Sequence, residues 1–336
     1  MTPTRRRYFF SLKLLFALLI IGAVGRYFAK LMESPEWSAR DVYFDIPYLL
    51  LSGLLYLGAH TIWGTFFFQL LRFEGAAVSW PIALRAYFVS QLGKYVPGKA
   101  WVILMRIGLL RPQKVPAAIV AVCGTYETLT TMAAGAVLGV CLFPWLGLSE
   151  LGALDGNARV QFAFGSWEWV MLLAVAALPI SLGILNRRIT KNIQARRGPD
   201  AVPLPSPSLM LLLRGLLQAM LGWALLGLSL WCMVNAVLPL PLRGEVFAEA
   251  VAAVAVSYVA GFLAFLIPGG LGVRELILQR VLMAQLVAIS AAAQPLSALI
   301  AITLRLVWTL FEVLVSVGWY ALGRRYLREM PISETT

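Results

Sequence analysis

The chain has 336 residues, 60% of them hydrophobic and 13% charged, with a net charge of +12 and a mean hydropathy of +0.80. Soluble domains carry about 25% charged residues, so this composition excludes an ordinary soluble globule and points to membrane spans. The basic residues stand in short clusters between apolar runs, which is the pattern of cytoplasmic loops rather than of a nucleic-acid surface.

Arg5, Arg6 and Arg7 precede an apolar run over 8–25, and Arg26 and Lys30 follow it where a small-residue cleavage site would stand. The pattern predicts an uncleaved anchor helix with its N-terminus in the cytoplasm. Residues 33–45 mix acids and bases and are expected outside. A span over 46–71 returns to Arg72. Residues 80–96 are apolar but carry Arg85, Gln91 and Lys94; Pro97-Gly98 interrupts them, and 99–110 resumes among Lys99, Arg106, Arg111 and Lys114. Basic flanks on both sides predict a re-entrant helical hairpin inserted from the cytoplasm.

The span over 115–145 carries Glu127 near its middle, and the acidic loop 147–165 is expected outside. A span over 167–185 leads to Arg187, Arg188, Lys191, Arg196 and Arg197. The proline-rich stretch 196–207 reads as a cytoplasmic linker between a first half, 1–195, and a second, 208–336. Residues 208–238 go out again, with Pro239 and Pro241 in an external turn. Residues 246–267 are apolar; Pro268, Gly269, Gly270 and Gly272 interrupt them, and 273–288 resumes with few basic residues at either end. That predicts a second hairpin, inserted from outside. A last span over 295–321 ends at Arg324, Arg325 and Arg328, which places both termini in the cytoplasm. Residues 246–267 are long enough to cross alone at about 1.5 Å per residue, so eight crossings stand as the alternative to about six crossings plus two hairpins.

Span, hairpin and span over 46–71, 80–110 and 115–145 recur, inverted, over 208–238, 246–288 and 295–321. The predicted fold is an all-α polytopic membrane protein, an inverted repeat with two broken-helix hairpins. This is the plan of secondary transporters, whose sites form where the breaks meet.

A helix starting after a Pro-Gly break aims free N–H groups and its positive dipole end at the break, which favours phosphate or carboxylate. Lys94, Lys99 and Arg106 cluster at the first break, Arg274 at the second, and Arg305 sits in the last span. Glu127, Glu275 and Glu312 are the acids expected to balance them. Arg305 and Glu312 share a face but lie roughly 10 Å apart along the axis, so Arg305 needs a partner on another element. Arg274 and Glu275 diverge on a helix and need different partners. Glu127, with Thr130 and Thr131 one turn on, forms a polar stripe.

Enzyme chemistry is not expected. The chain has no G-x-S-x-G, P-loop or Cys/His pair, its single histidine, His60, cannot build the usual zinc site, and no cofactor is implied. His60 reads as a hydrogen-bonded packing residue. Cys123, Cys141 and Cys232 lie in apolar runs without C-x-x-C spacing and read as buried free thiols.

Taken together, Gln91-Leu92-Gly93-Lys94-Tyr95-Val96-Pro97-Gly98-Lys99-Ala100-Trp101, Arg106, Glu127 beside Tyr126, Ile267-Pro268-Gly269-Gly270-Leu271-Gly272-Val273-Arg274-Glu275 and Arg305 resemble the lysylphosphatidylglycerol synthase transmembrane-region family, also called flippase-like. The likeness runs from the second span to the last. It implies a multi-pass lipid translocase of the bacterial cytoplasmic membrane. Bifunctional relatives continue into a soluble aminoacyl-transferase domain; the chain stops at Thr336, so synthase activity is not expected. Many members carry Arg where Lys94 stands, and some carry Arg and Asp where this chain has Thr128 and Thr131, which leaves the head group open.

The expected function is movement of an anionic, phosphate-bearing lipid or lipid-linked head group between leaflets. Lys94, Lys99, Arg106, Arg274 and Arg305 would hold the phosphate with the Pro97, Gly98, Pro268, Gly269, Gly270 and Gly272 backbone. Glu127 and Glu275 would balance charge or bind a cationic head group. A carrier of a small soluble anion and a membrane-embedded lipid-modifying transferase are the alternatives, and a homo-oligomer or a partner membrane enzyme is a possible assembly.

Overall fold

The computed structural model describes residues 43–96, 100–142, 207–239, 242–264, 270–287 and 292–329, the last seven by backbone only, together with single positions 26, 30, 188 and 191. The expected anchor helix, the 167–185 span, nearly all of the proline-rich linker, and Pro97, Gly98, Lys99, Pro268 and Gly269 lie outside the described residues.

The described residues form eight α-helices and no strand. In chain order these are α1 Ile46–Phe73, α2 Trp80–Gln91, α3 Ala100–Leu110, α4 Ala117–Cys141, α5 Leu209–Asn235, α6 Gly244–Leu263, α7 Val273–Leu286 and α8 Ala293–Glu329. Short 3-10 turns follow α2 (Leu92–Tyr95) and α3 (Arg111–Gln113). Local chemistry sets several of the ends. Prolines stand in the first turns of α1 and α2, where a missing N–H costs nothing. The Ser208 hydroxyl accepts the Leu211 N–H at 3.2 Å and starts α5.

α1, α4, α5, α6 and the first 30 residues of α8 are long and apolar enough to cross a membrane, which makes this a membrane protein. The 12 residues of α2 and 11 of α3 reach only roughly 17–18 Å, little more than half the hydrocarbon thickness. The 14 residues of α7 reach about 21 Å. Leu50 and Leu54 on α1, Leu213, Leu217 and Leu221 on α5, and Leu306, Leu310, Leu314 and Val317 on α8 repeat at helical spacing and are exposed. Such stripes match acyl chains.

The centre is an antiparallel pair, α1 against α5. Asp45 N–H donates to the Ala236 carbonyl at 2.9 Å, the Ser52 and Ser229 hydroxyls meet at 2.9 Å, and the Trp63 indole donates to the Ala219 carbonyl at 3.3 Å. The contacts move up one helix as they move down the other. α2 runs antiparallel along α8, with the Ser316 hydroxyl on the Phe88 carbonyl and Lys94 on Glu312. α6 lies likewise along α4, with Val256 against Gly139.

Candidate functional site

Described residues on the two sides of each interruption lie against one another. At the first, a Cβ on Gly93 would lie 2.9 Å from the Val102 amide nitrogen and 3.0 Å from the Trp101 carbonyl carbon. At the second, Gly270 (φ +66°) sits against Gly261, whose carbonyl oxygen would lie 2.8 Å from an added Cβ. Two backbones meet this closely only where no side chain intervenes, and the left-handed φ at 270 further favours glycine.

Between the two turns lies a cavity of about 300 Å³. The first interruption contributes Gln91, Lys94, Val96 and Arg106, and the second contributes Tyr258, Gly261, Gly270 and Arg274. α4 adds Glu127 with Thr125, Thr128 and Thr131, and α1 adds His60 and Trp63. Five of the expected site residues, Lys94, Arg106, Glu127, Gly270 and Arg274, therefore share one wall. Arg274 also lines a second, much smaller pocket of about 20 Å³, where Glu275 and Arg305 sit.

The charges are matched with one exception. Arg106, 1% exposed, places Nη1 2.9 Å from Glu127 and Nε 3.0 Å from the Ser90 hydroxyl, with its guanidinium 4.6 and 4.7 Å from the Phe67 and Tyr87 ring centres. Lys94 Nζ lies 2.7 Å from Glu312, whose same oxygen accepts the Tyr56 and Tyr95 hydroxyls at 3.1 Å each. Arg305 Nε approaches Glu275 at 3.4 Å without hydrogen-bond alignment, and its Nε and Nη2 have no hydrogen-bond partner. Arg274 alone of these four cations has no carboxylate within 4.0 Å among the described residues. Its guanidinium carbon lies 3.3 Å from the Tyr258 ring centre, while its buried Nε and Nη1 have no partner. A ring face contributes about 2 kcal/mol to a desolvated cation, whereas an uncompensated buried charge costs several. Among the described residues, these four cations against three carboxylates leave one unmatched positive charge beside the cavity.

The start of α7 departs from its expected chemistry. The Gly272 N–H, expected to be free for an anion, donates to the Glu275 carboxylate at 2.6 Å. The N3 acid of the helix thus caps its own first amide. A cationic head group at Glu275 would compete with that N–H and with Arg305 for the carboxylate. Arg305 and Glu312 do find partners on other elements, and Arg274 and Glu275 diverge.

The expected set omitted the aromatic frame. Tyr56, Tyr87, Tyr95 and Tyr258 hold or face every one of the four cations. Tyrosine within apolar helix gives no periodic signal that separates packing from ligation. For Tyr258 a clue exists in its i, i+3 relation to Gly261, which puts ring and cleft on one face. His60 lines the cavity, its Nδ1 3.3 Å from the Tyr87 hydroxyl and its Nε2 unpartnered. Compared with models of known protein families the chain matches none, and a comparison with curated protein sequences finds no match. The fold and site define the class by themselves: an all-helical membrane protein with a buried basic cavity between two interrupted helices.

Proposed function

We propose that the protein translocates an anionic, phosphate-bearing lipid head group across a membrane, as a stand-alone flippase similar to the lysylphosphatidylglycerol synthase transmembrane-region family. The observation that carries the reading is the unmatched Arg274 guanidinium on the wall of a 300 Å³ cavity reached by both interruptions. Guanidinium presents a planar fork to phosphate oxygens. Half-buried Val102, Ile103, Leu129, Met132 and Phe262 line one side, a surface suited to acyl chains rather than to the hydration shell of a soluble ion.

The inverted-repeat architecture is part of this reading, and the helix packing supports it. Exchanging α1 with α5, α2 with α6, α3 with α7 and α4 with α8 returns the central α1·α5 pair to itself and carries every other well-packed helix pair onto another: α2·α8 onto α6·α4, α3·α4 onto α7·α8, α1·α4 onto α5·α8. The equivalent helices α1 and α5 run antiparallel, as opposite insertion requires. Short α2 and α3 suit a hairpin that enters and leaves on one side. The cavity of about 300 Å³ beside α4 and the pocket of about 20 Å³ beside α8 are equivalent places under the exchange. That difference supports two hairpins gating in alternation from opposite faces. The bacterial cytoplasmic membrane is the setting the sequence resemblance implies.

Reconstitution into liposomes with fluorescent phospholipids tests the proposal. Arg274→Ala is expected to slow head-group crossing by at least about tenfold, the loss of one charge-assisted bidentate contact. If the Arg274→Ala protein moves lipid at the parental rate, this site assignment is wrong.

A further inference from the structure

Buried polar atoms that line the cavity need partners, because an unmet one costs more than a typical hydrogen bond contributes. Most are engaged. The Thr125 hydroxyl donates to the Ala121 carbonyl and the Thr128 hydroxyl to the Gly124 carbonyl, both at 2.8 Å, and the Trp63 indole is bound to Ala219. Four buried atoms of lining residues have no hydrogen-bond partner: Arg274 Nε and Nη1, Thr131 Oγ1 and His60 Nε2. Two of them belong to one cation and two to neutral groups that can donate or accept.

The charge balance restricts what can satisfy them. Glu127 is committed to Arg106, Glu312 to Lys94, and Glu275 to Arg305 and the Gly272 amide. Glu127 is the only carboxylate among the described residues that line the cavity, and its pairing with Arg106 leaves none there to receive an ammonium group. One positive charge is left to receive one negative charge, and a second negative charge would be buried without a partner.

Resting on the translocase reading, we propose that the carried group is a phosphodiester of single negative charge joined to a neutral, hydroxyl-bearing head such as a glycerol or a sugar. Arg274 takes the phosphate oxygens through Nε and Nη1, and Thr131 and His60 take the head-group hydroxyls. Amine-bearing heads and doubly charged phosphomonoesters are rejected.

The test is proteoliposomes of the full chain carrying tail-labelled phosphatidylglycerol, phosphatidylmethanol, phosphatidate or phosphatidylethanolamine, with entrapped soluble glycerophosphoglycerol as a separate arm. Phosphatidylglycerol is expected to cross about tenfold faster than phosphatidylethanolamine or phosphatidate, with phosphatidylmethanol, which has the charge but no hydroxyl, between them. Thr131→Val and His60→Leu, shown to melt like the parent, are expected to narrow the gap between phosphatidylglycerol and phosphatidylmethanol. Phosphatidylethanolamine or phosphatidate keeping pace with phosphatidylglycerol overturns the charge selection while lipid translocation stands. Phosphatidylmethanol matching phosphatidylglycerol in the parent overturns the hydroxyl contacts. Crossing of glycerophosphoglycerol with every lipid static upholds the head-group chemistry and overturns the lipid reading, and a protein that moves none of the probes overturns both.

Discussion

The two interrupted regions use the same part, an ion pair tying the second limb to the following long helix, with opposite polarity and unequal quality. In the first half the cation is on the limb and the anion on the long helix: Arg106 on α3, Glu127 on α4, 2.9 Å apart, with Ser90 and two aromatic rings completing the guanidinium's surroundings. In the second half the signs reverse: Glu275 is on α7 and Arg305 on α8, 3.4 Å apart and poorly aligned. The well-satisfied pair stands beside the larger cavity and the loose one beside the smaller pocket. A network with every bond made can hold walls apart around space. One with unspent N–H groups is incompletely satisfied, and Arg274, which lines both spaces, has unpartnered N–H groups as well.

Breaking the pairs separately is the strongest way to test this contrast. Arg106→Leu leaves Glu127 as a buried unpaired carboxylate and is expected to cost about 3–5 kcal/mol, read as a lower melting temperature in detergent; adding Glu127→Leu should restore most of it, because two apolar groups replace the pair without a stranded charge. Glu275→Gln removes a misaligned contact and part of a helix cap, and about 1–2 kcal/mol is expected. Equal losses in the two halves would show that the difference in pairing has no energetic weight.

The turns offer a finer comparison. Gly270→Ala meets the Gly261 backbone and carries a left-handed φ, so about 2–3 kcal/mol of destabilisation is expected, whereas Gly108→Ala, on an open face of α3, should stabilise by up to about 1 kcal/mol. A mild Gly270→Ala effect would mean that α6 and the start of α7 can separate freely. The smallest effect belongs to Glu74, just beyond α1, where burial raises the carboxyl from 4.5 to about 6 and Oε2 has no partner. The neutral form is favoured in the folded chain, so stability is greatest below pH 4.5 and declines as pH rises through about 6. Glu74→Gln should flatten the melting temperature across that window and raise it slightly at pH 7.

Composition and periodicity sufficed for the helical class, for spans at α1, α4, α5 and α8, and for two interruptions, because apolar length and helix breakers are local properties; α6, read as a hairpin limb with a full crossing as the alternative, is long enough to cross. The candidate cations were legible for the same reason: Lys94, Arg106, Arg274 and Arg305 are conspicuous in apolar surroundings. Helix geometry even told Arg305 to look beyond Glu312 and Arg274 to part from Glu275. The pairings were not legible. Lys94 with Glu312 spans 218 positions, and nothing in either segment names the other. Nor could the sequence reveal that Glu275 would occupy the Gly272 amide expected to be free, since that depends on a side-chain rotamer.

What the sequence alone determined, then, is the inventory: which segments are apolar helix, where they break, and which charges lie within them. What only the tertiary structure decided is the balance, that three carboxylates find three cations and Arg274 is left over. Charge in a low dielectric is settled by distances of a few ångströms between elements far apart in the chain. Those distances exist only once α1 and α5 have brought the two halves face to face.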